Sequence, residues 1–116
     1  MSRHDPGVYL LHMRDHAREA VDLAKGHTRA DLDRVRMLNL SLVRLCEVIG
    51  EAAVRVPEAD RIQWPSIPWR AVVGLRNRLI HAYDQINFDT LWDIVQNDLP
   101  PLIAALEEIL ADSKRS

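Results

Sequence analysis

Apolar residues recur in this chain at steps of three and four, and this periodicity restricts the fold more than any other feature of the sequence. The longest seam lies between Thr28 and Pro57. Its members are Leu32, Val35, Leu38, Leu42, Leu45, Ile49, Ala52 and Val56. A stripe of this kind is the core-facing side of an amphipathic α-helix. The sequence therefore predicts an all-α protein.

Start and stop signals divide the chain into segments. A first helix is expected from about Val8 to Lys25, with Gly26 as its stop. Thr28 can cap a second helix, with Asp31 as its capping-box partner, and that helix should continue unbroken until Pro57.

Residues 57–67 follow the second helix. This stretch is expected to be an ordered loop rather than a linker, because Ile62, Trp64 and Ile67 all require burial. Ser66 can then cap a third helix that has Pro68 in its first turn.

The last part of the chain carries a fourth apolar stripe. Either Asn87 or Asp89 can begin this helix, and Pro100-Pro101 must kink it or split it in two. The result is a compact bundle of four to five helices. With 116 residues and 47% apolar content, residues 1–116 suit one domain, ending in a polar tail at 113–116.

The sequence gives no sign of export or membrane insertion. Its N-terminus is polar, and its longest apolar run, Leu99 to Leu106, is far shorter than the ~20 residues that span a bilayer. A cytoplasmic protein without membrane contact is expected. Cys46 lies among the apolar positions of the second helix and is interpreted as a small buried hydrophobe.

Charge is unevenly distributed along the chain. The net charge is −2, with 17 acids and 15 bases, so the whole molecule does not attract nucleic acid. The interval from Arg61 to Arg78, however, contains four arginines and no acid, and acids crowd both of its flanks. These arginines could form an ordinary solvated helix face or a local phosphate-binding surface.

The end of this interval carries the strongest chemical signal. Arg76 is a permanent cation, His81 is a group that transfers protons near neutral pH, and Tyr83 adds a phenol. On an uninterrupted helix, Arg76 and His81 would lie about 140° apart and so on different faces. A site that uses both residues requires either a helix that loosens near His81 or a second subunit facing the first.

This Arg-x4-His-x-Tyr spacing resembles the motif of HEPN-domain ribonucleases, and specifically of HepT-like toxins encoded beside small nucleotidyltransferases. Three flanking stretches also resemble HepT-like landmarks, at Ser41–Ala53, Ile67–Arg70 and Asp98–Leu102. The likeness covers roughly residues 5–112. It implies a HEPN-type bundle and a two-fold homodimer whose paired third helices line one cleft.

The resemblance also implies an activity. A metal-independent endoribonuclease of a type VII-like toxin–antitoxin system is expected, with RNA as its substrate and no cofactor. Arg76 and His81 would be catalytic, and Asn77 would support them. Arg70 and Arg78 would guide the RNA backbone. Tyr83 corresponds to the tyrosine that accepts AMP from the partner nucleotidyltransferase, which silences the toxin.

Two less specific interpretations remain open. The same arginines could hold a nucleotide or a partner enzyme, with His81 only donating a hydrogen bond; the chain would then be a non-catalytic helical binding module. His12 and His16 are spaced as possible metal ligands on one helix, but no third ligand is indicated and no metal is expected.

Overall fold

The computed structural model describes residues 5–82 and 85–115, without the side chains of 81–82 and 113–115. The helices before the motif are α1 (Pro6–Ala24), α2 (Asp31–Arg34), α3 (Arg36–Arg55) and α4 (Glu58–Arg61). The motif region contains α5 (Trp69–Val73), α6 (Leu75–Leu79), β1 (Ile80–Ala82) and β2 (Gln85–Ile86). The chain ends with α7 (Phe88–Asp93), a π-helical turn (Ile94–Asp98) and α8 (Leu99–Arg115).

Helix α1 is the centre of the bundle and packs along both α3 and α8. Its buried side chains follow the expected steps of three and four residues: Leu10, Met13, Ala17, Ala20 and Ala24. The three alanines are short, so they allow the neighbouring helices to approach closely. Gly26 ends the helix with φ 80°, a conformation that favours glycine. The predicted first helix is thus confirmed, with small shifts at its ends.

The predicted second helix is not continuous. Val35 is extended and separates α2 from α3. The buried Asn39 amide donates a hydrogen bond of 2.9 Å to the Leu32 carbonyl, the group that an unbroken helix would pair with the N–H of Arg36. A side chain therefore replaces one backbone donor at this break. The apolar seam survives it, since Leu32, Leu42 and other seam residues are buried.

Thr28 does not cap the second helix, because residues 28–31 form a turn in which the Thr28 carbonyl accepts from the Asp31 N–H at 3.0 Å; α2 therefore begins at Asp31 with Ala30 before it and no side-chain cap. One half of the expected capping box is nevertheless present. The Thr28 N–H donates to the Asp31 carboxylate at 3.0 Å. This hydrogen bond lowers the pKa of Asp31, and a second one from the His27 side chain acts in the same direction.

The connection at 57–67 is ordered, but not by all three predicted side chains. Ile67 is buried and Trp64 is half-buried, whereas Ile62 is 79% exposed. The prediction for Ile62 was wrong because α4 directs this side chain away from the core. The indole N–H of Trp69 donates to the Trp64 carbonyl at 3.1 Å and closes the loop.

Ser66 does not cap the third helix. That helix begins at Trp69, with Pro68 immediately before it and no side-chain cap. The local reason is a tight turn in which the Ile67 carbonyl accepts from the Trp69 N–H at 2.9 Å. The helix therefore starts too late for Ser66 to reach its first N–H groups.

Asn87 begins α7, as one of the two expected starts, and its side chain accepts from the Thr90 N–H at 3.0 Å. The predicted split near Pro100-Pro101 does not occur, because Ile94 and Leu99 both keep helical dihedral angles; the helical run is instead interrupted by a π-helical turn. The π-helical turn precedes the two prolines, which then lie in the first turn of α8, where no intrahelical N–H is needed.

The described residues form an all-α bundle, with two very short strands as the only sheet found in them. Within these ranges, no helix combines the length and the apolar character that crossing a bilayer requires.

Candidate functional site

The segment that carries the motif is two short helices rather than one. Gly74 lies between α5 and α6, and its N–H donates to the Arg70 carbonyl at 3.1 Å. A β-carbon at position 74 would lie 3.2 Å from that same carbonyl oxygen. The prediction of one third helix along the whole motif was therefore wrong.

The second helix ends before the motif histidine. Ile80 is extended, and β1 pairs with β2 in an antiparallel register that joins Ile80 to Ile86. The Leu79 carbonyl accepts from the Asn87 N–H at 2.9 Å, which fixes the point where the helix stops. The backbone of His81 therefore lies in a strand, so the helical angle between Arg76 and His81 does not apply. The loosened helix considered from the sequence is what occurs.

Leu75 and Leu79 are both buried and fix the orientation of α6. The polar residues between them, Arg76, Asn77 and Arg78, are all exposed. Arg76 is 67% exposed, and its Nε lies 3.5 Å from Oε2 of Glu47 on α3. Its guanidinium is therefore accessible to an anion from solvent.

Arg78 contacts a different part of the bundle. It donates a hydrogen bond of 2.9 Å to Asp98 in the π-helical turn. Since Arg76 faces α3 and Arg78 faces this turn, the two guanidinium groups lie on different sides of α6. Arg70 is also exposed, one turn before Gly74. The structure thus spreads the predicted phosphate-binding cations over a surface rather than gathering them at one point.

Arg61 has a structural role that the charge pattern did not reveal. It donates to the carbonyls of Val56 at 2.9 Å and of Ala53 and Val54 at 3.2 Å, at the end of α3. Its guanidinium also lies 5.7 Å from the centre of the Trp69 ring. Arg61 is therefore a C-terminal helix cap, whereas Arg70, Arg76 and Arg78 remain at the surface.

A groove of about 500 Å³ lies between α5–α6 and the start of α8. Its lining is mostly aliphatic and includes Val72, Leu75, Leu99 and Leu102. The Arg78–Asp98 ion pair lies at its rim. No sequence pattern predicted this groove, since its two walls are distant in the chain.

Glu47 is the site residue that sequence reasoning missed. In the sequence it was one acid of the flank before the arginine-rich interval and one residue of the Ser41–Ala53 stretch, with no role assigned to it. In the structure its side chain is 25% exposed and lies between two cations, Arg76 and Arg44. No sequence spacing connects Glu47 to Arg76, because their contact depends on how α6 packs against α3.

Cys46, beside Glu47, is fully buried, as predicted. Desolvation raises the pKa of its thiol to about 12, so the thiol stays protonated and unreactive at neutral pH.

The two histidines of α1 make local contacts. Nδ1 of His16 lies 2.7 Å from the His12 carbonyl oxygen, and the two ring centroids are 6.4 Å apart. In the part of the chain that the structure describes, no three His, Cys, Asp or Glu side chains gather in a metal-binding group.

The remaining site predictions are not decided by this geometry. The His81 side chain and the whole of Tyr83 lie outside the described residues, so their relation to Arg76 stays a prediction. Asn77 is exposed beside Arg76, and its supporting role stays a prediction.

The chain is similar to several proteins with ribonuclease names. The family model described as "Ribonuclease HepT-like" matches residues 13–109. A protein of Methanocaldococcus jannaschii named as a proposed RNase is 32% identical over 112 residues, covering 97% of this chain and 93% of its own. A protein of Thermococcus cleftensis named as a probable ribonuclease HepT is 33% identical over 95 residues, covering 78% of this chain and 86% of its own. No solved structure is a significant match.

Proposed function

The chain belongs to the HepT-like ribonuclease family, and from this premise we propose that it is a metal-independent endoribonuclease toxin. It acts in the cytoplasm, in a type VII-like toxin–antitoxin pair. The observation that carries the proposal is the exposed guanidinium of Arg76 on a helix that stops just before His81. That arrangement offers a phosphate-binding cation close in the chain to a proton-transfer group.

The proposed reaction needs only groups of this kind. The ribose 2′-hydroxyl loses a proton to a base and attacks the adjacent phosphorus. The bond from phosphorus to the 5′-oxygen breaks, and that oxygen takes up a proton from an acid. The products are a 2′,3′-cyclic phosphate and a 5′-hydroxyl end. A histidine can act as either the base or the acid near neutral pH.

Arg76 would stabilise the charge that builds on the phosphate oxygens, through charge-assisted hydrogen bonds from its guanidinium. Asn77, exposed next to it, would orient the phosphate or the imidazole. Arg70 and Arg78 would bind the neighbouring phosphates of a single-stranded substrate. For Arg78 this requires that the carboxylate of Asp98 share its guanidinium or release it.

A homodimer would supply two copies of each group to one cleft. The spread of the cations around α6 supports this, because one bundle presents Arg76 and Arg78 in different directions. A symmetry mate with the same surface would bring the motif of a second chain opposite the first.

Silencing by a partner nucleotidyltransferase is the proposed regulation. The partner would transfer AMP to Tyr83, and the added phosphate would occupy and neutralise the cations of the motif. The support is the position of this tyrosine two residues after His81 in a family motif. Co-expression with the partner should add adenylate mass to this chain, and Tyr83→Phe should remain unmodified and toxic. Modification at Tyr9 instead would contradict the assignment.

The decisive test is incubation of the purified chain with single-stranded RNA in EDTA. We expect cyclic phosphate and 5′-hydroxyl ends from the wild type, and no cleavage from Arg76→Ala or His81→Ala. Circular dichroism of both variants should show unchanged helicity. Strict dependence on added metal, or undiminished cleavage by both variants, would refute the proposed mechanism.

The alternative is a non-catalytic module that binds a nucleotide or the partner enzyme. The apolar groove beside the Arg78–Asp98 pair favours it, since such a groove can hold a ligand without any reaction. RNA that stays intact while still binding to Arg76 would support this alternative.

A further inference from the structure

Arg76 has a specific partner on a different helix. Its Nε lies 3.5 Å from Oε2 of Glu47, in the middle of α3. Arg76 belongs to a helix of 5 residues, whereas α3 has 20 residues and is buried along one face. The ion pair therefore joins an exposed side chain of a short helix to a long helix that is packed into the core.

The point of contact determines which donors remain available. A guanidinium has five N–H donors in one plane, one of them on Nε. With Nε facing Glu47, the four N–H groups of the two terminal nitrogens have no hydrogen-bond partner among the described residues and can face an incoming phosphate. Two of them can bind two phosphate oxygens at once, provided that the plane has the right orientation. Glu47 restricts that orientation.

The burial of the two partners also distinguishes Glu47 from an ordinary surface acid. The Glu47 side chain is 25% exposed and that of Arg76 is 67% exposed. The acid thus lies beneath the guanidinium, away from solvent, where it is less screened. Arg44 is the other cation near Glu47, at a distance of 3.7 Å. Arg44 also lies 3.8 Å from Glu51, so it is shared between two acids and leaves Glu47 able to pair with Arg76.

We propose that Glu47 is a positioning residue that orients Arg76 for phosphate binding in the transition state. This inference rests on the proposed ribonuclease function. Glu47 does not act on the substrate; it fixes the plane of the guanidinium before the RNA arrives. Its removal should lower the rate of the chemical step more than the affinity for RNA.

The affinity should change little for a physical reason. Removing the negative charge of Glu47 makes the surface around Arg76 more positive, which favours an RNA backbone. The same change frees the guanidinium to rotate, and misplacement of a catalytic group lowers the rate. A reduced kcat without an increased KM is therefore the expected signature.

Glu51 provides the matched control. It is on the same helix, pairs with the same Arg44, and is 61% exposed, but no ion pair joins it to Arg76 in the described structure. We expect Glu47→Gln to lower kcat by about 10- to 100-fold. We expect Glu51→Gln to stay within about twofold of the wild type. Glu47→Asp should recover part of the lost rate, because it restores the carboxylate on a side chain that is one methylene shorter and therefore farther from Arg76.

Two further measurements separate positioning from simple destabilisation. Affinity for a DNA strand of the same sequence, which lacks the 2′-hydroxyl, should remain within about twofold in Glu47→Gln. In an Arg76→Lys background there is no Nε for Glu47 to hold, so Glu47→Gln should have little additional effect there. Equal losses in both backgrounds, or an unchanged kcat in Glu47→Gln, would overturn the proposal.

One readout does not depend on cleavage. The Nε–H resonance of Arg76 in a ¹H–¹⁵N spectrum, assigned by its loss in Arg76→Lys, should shift in Glu47→Gln and stay in place in Glu51→Gln. A resonance unaffected by Glu47→Gln would refute the contact itself. Wild-type protein that never cleaves RNA would refute the proposed function instead, while this resonance would still decide whether Glu47 holds Arg76.

Discussion

The bundle core and the motif segment, residues 69–82, are built in different ways. The core consists of α1, α3 and α8, with 19, 20 and 17 residues. The motif segment has two helices of 5 residues each, followed by a strand of 3. The core helices bury long apolar stripes, whereas the motif segment is fixed by a few side chains and exposes its cations. Stability and chemistry therefore depend on largely separate sets of residues.

The motif segment takes its shape from tertiary contacts. An isolated helix of five residues is not stable in water, because nucleation is costly and few hydrogen bonds repay it. Val72, Leu75 and Leu79 are buried against the core and hold α5 and α6 in place. Because these tertiary contacts hold the segment, its helix can end before His81 and still present Arg76 to solvent.

The largest expected effect tests whether RNA cleavage can be lost without a change in the free energy of unfolding. Arg76→Ala should lower RNA cleavage by about 1,000-fold, the loss typical for removing a donor that stabilises transition-state charge. Its free energy of unfolding should change by no more than about 0.5 kcal/mol, because the side chain is exposed. Single-turnover cleavage and urea denaturation measure the two quantities. A large loss of stability in this variant would contradict the separation of the two regions.

The converse variant should lower the free energy of unfolding and leave RNA cleavage unchanged. Leu42 is fully buried in α3, so Leu42→Ala should lower the free energy of unfolding by about 2–5 kcal/mol. Cleavage measured well below the melting temperature should match that of the wild type, since the Leu42 side chain lies in the core whereas the motif cations are exposed at the surface. The exposed Leu40, changed to Ala, is the matched control and should unfold almost like the wild type. Lost cleavage in folded Leu42→Ala protein would show that the two regions are coupled.

The contact between the regions can be tested at Gly50. A β-carbon here would lie 3.2 Å from the Val72 carbonyl oxygen in α5, so Gly50→Ala should push α5 outward. Overpacking costs about 1–3 kcal/mol, and the better helix propensity of alanine offsets up to about 1 kcal/mol of that cost. Stability and cleavage should therefore decrease together in this variant.

The exposed Ser41, on the same helix, is the control for that experiment. Ser41→Ala improves helix propensity without meeting α5 and should preserve both properties. A Gly50→Ala protein with full cleavage and raised stability would mean that α5 accommodates the extra carbon by a small shift and does not position the motif.

The sequence predicted these two regions with unequal success. Apolar periodicity identified α1 and the seam of α3, because a long amphipathic helix shows its buried face in the spacing of its apolar residues. Pro100-Pro101 predicted the interruption of the last helix, which takes the form of a π-helical turn. Neither signal predicted the breaks at Val35 and Gly74 or the strand after Leu79. Each of these depends on partners that lie elsewhere in the fold, as with the Asn39 amide on the Leu32 carbonyl.

The sequence proposed the residues of the candidate site but not their arrangement. The spacing from Arg76 to Tyr83 suggested a chemistry that stays a prediction, and the charge pattern predicted an arginine-rich surface on which Arg70, Arg76 and Arg78 are exposed. Neither could separate Arg61, which caps α3, from the cations that remain at the surface. Neither could find Glu47, whose relation to Arg76 exists only after α6 packs against α3.

The smallest expected effect concerns the ion pair that joins the motif segment to the π-helical turn. Arg78 and Asp98 are 2.9 Å apart, but their side chains are 37% and 40% exposed, so solvent screens the attraction. A double-mutant cycle with Arg78→Gln and Asp98→Asn should give a coupling energy of about 0.2–1 kcal/mol, decreasing as salt is added. Asp98→Asn should also release Arg78 for phosphate and modestly tighten the binding of single-stranded RNA, whereas Arg78→Gln should weaken it. A coupling energy well above 1 kcal/mol would mean that this pair, and not only the buried leucines, fixes the motif segment to the bundle. Tighter RNA binding by Arg78→Gln would remove this arginine from the proposed RNA surface.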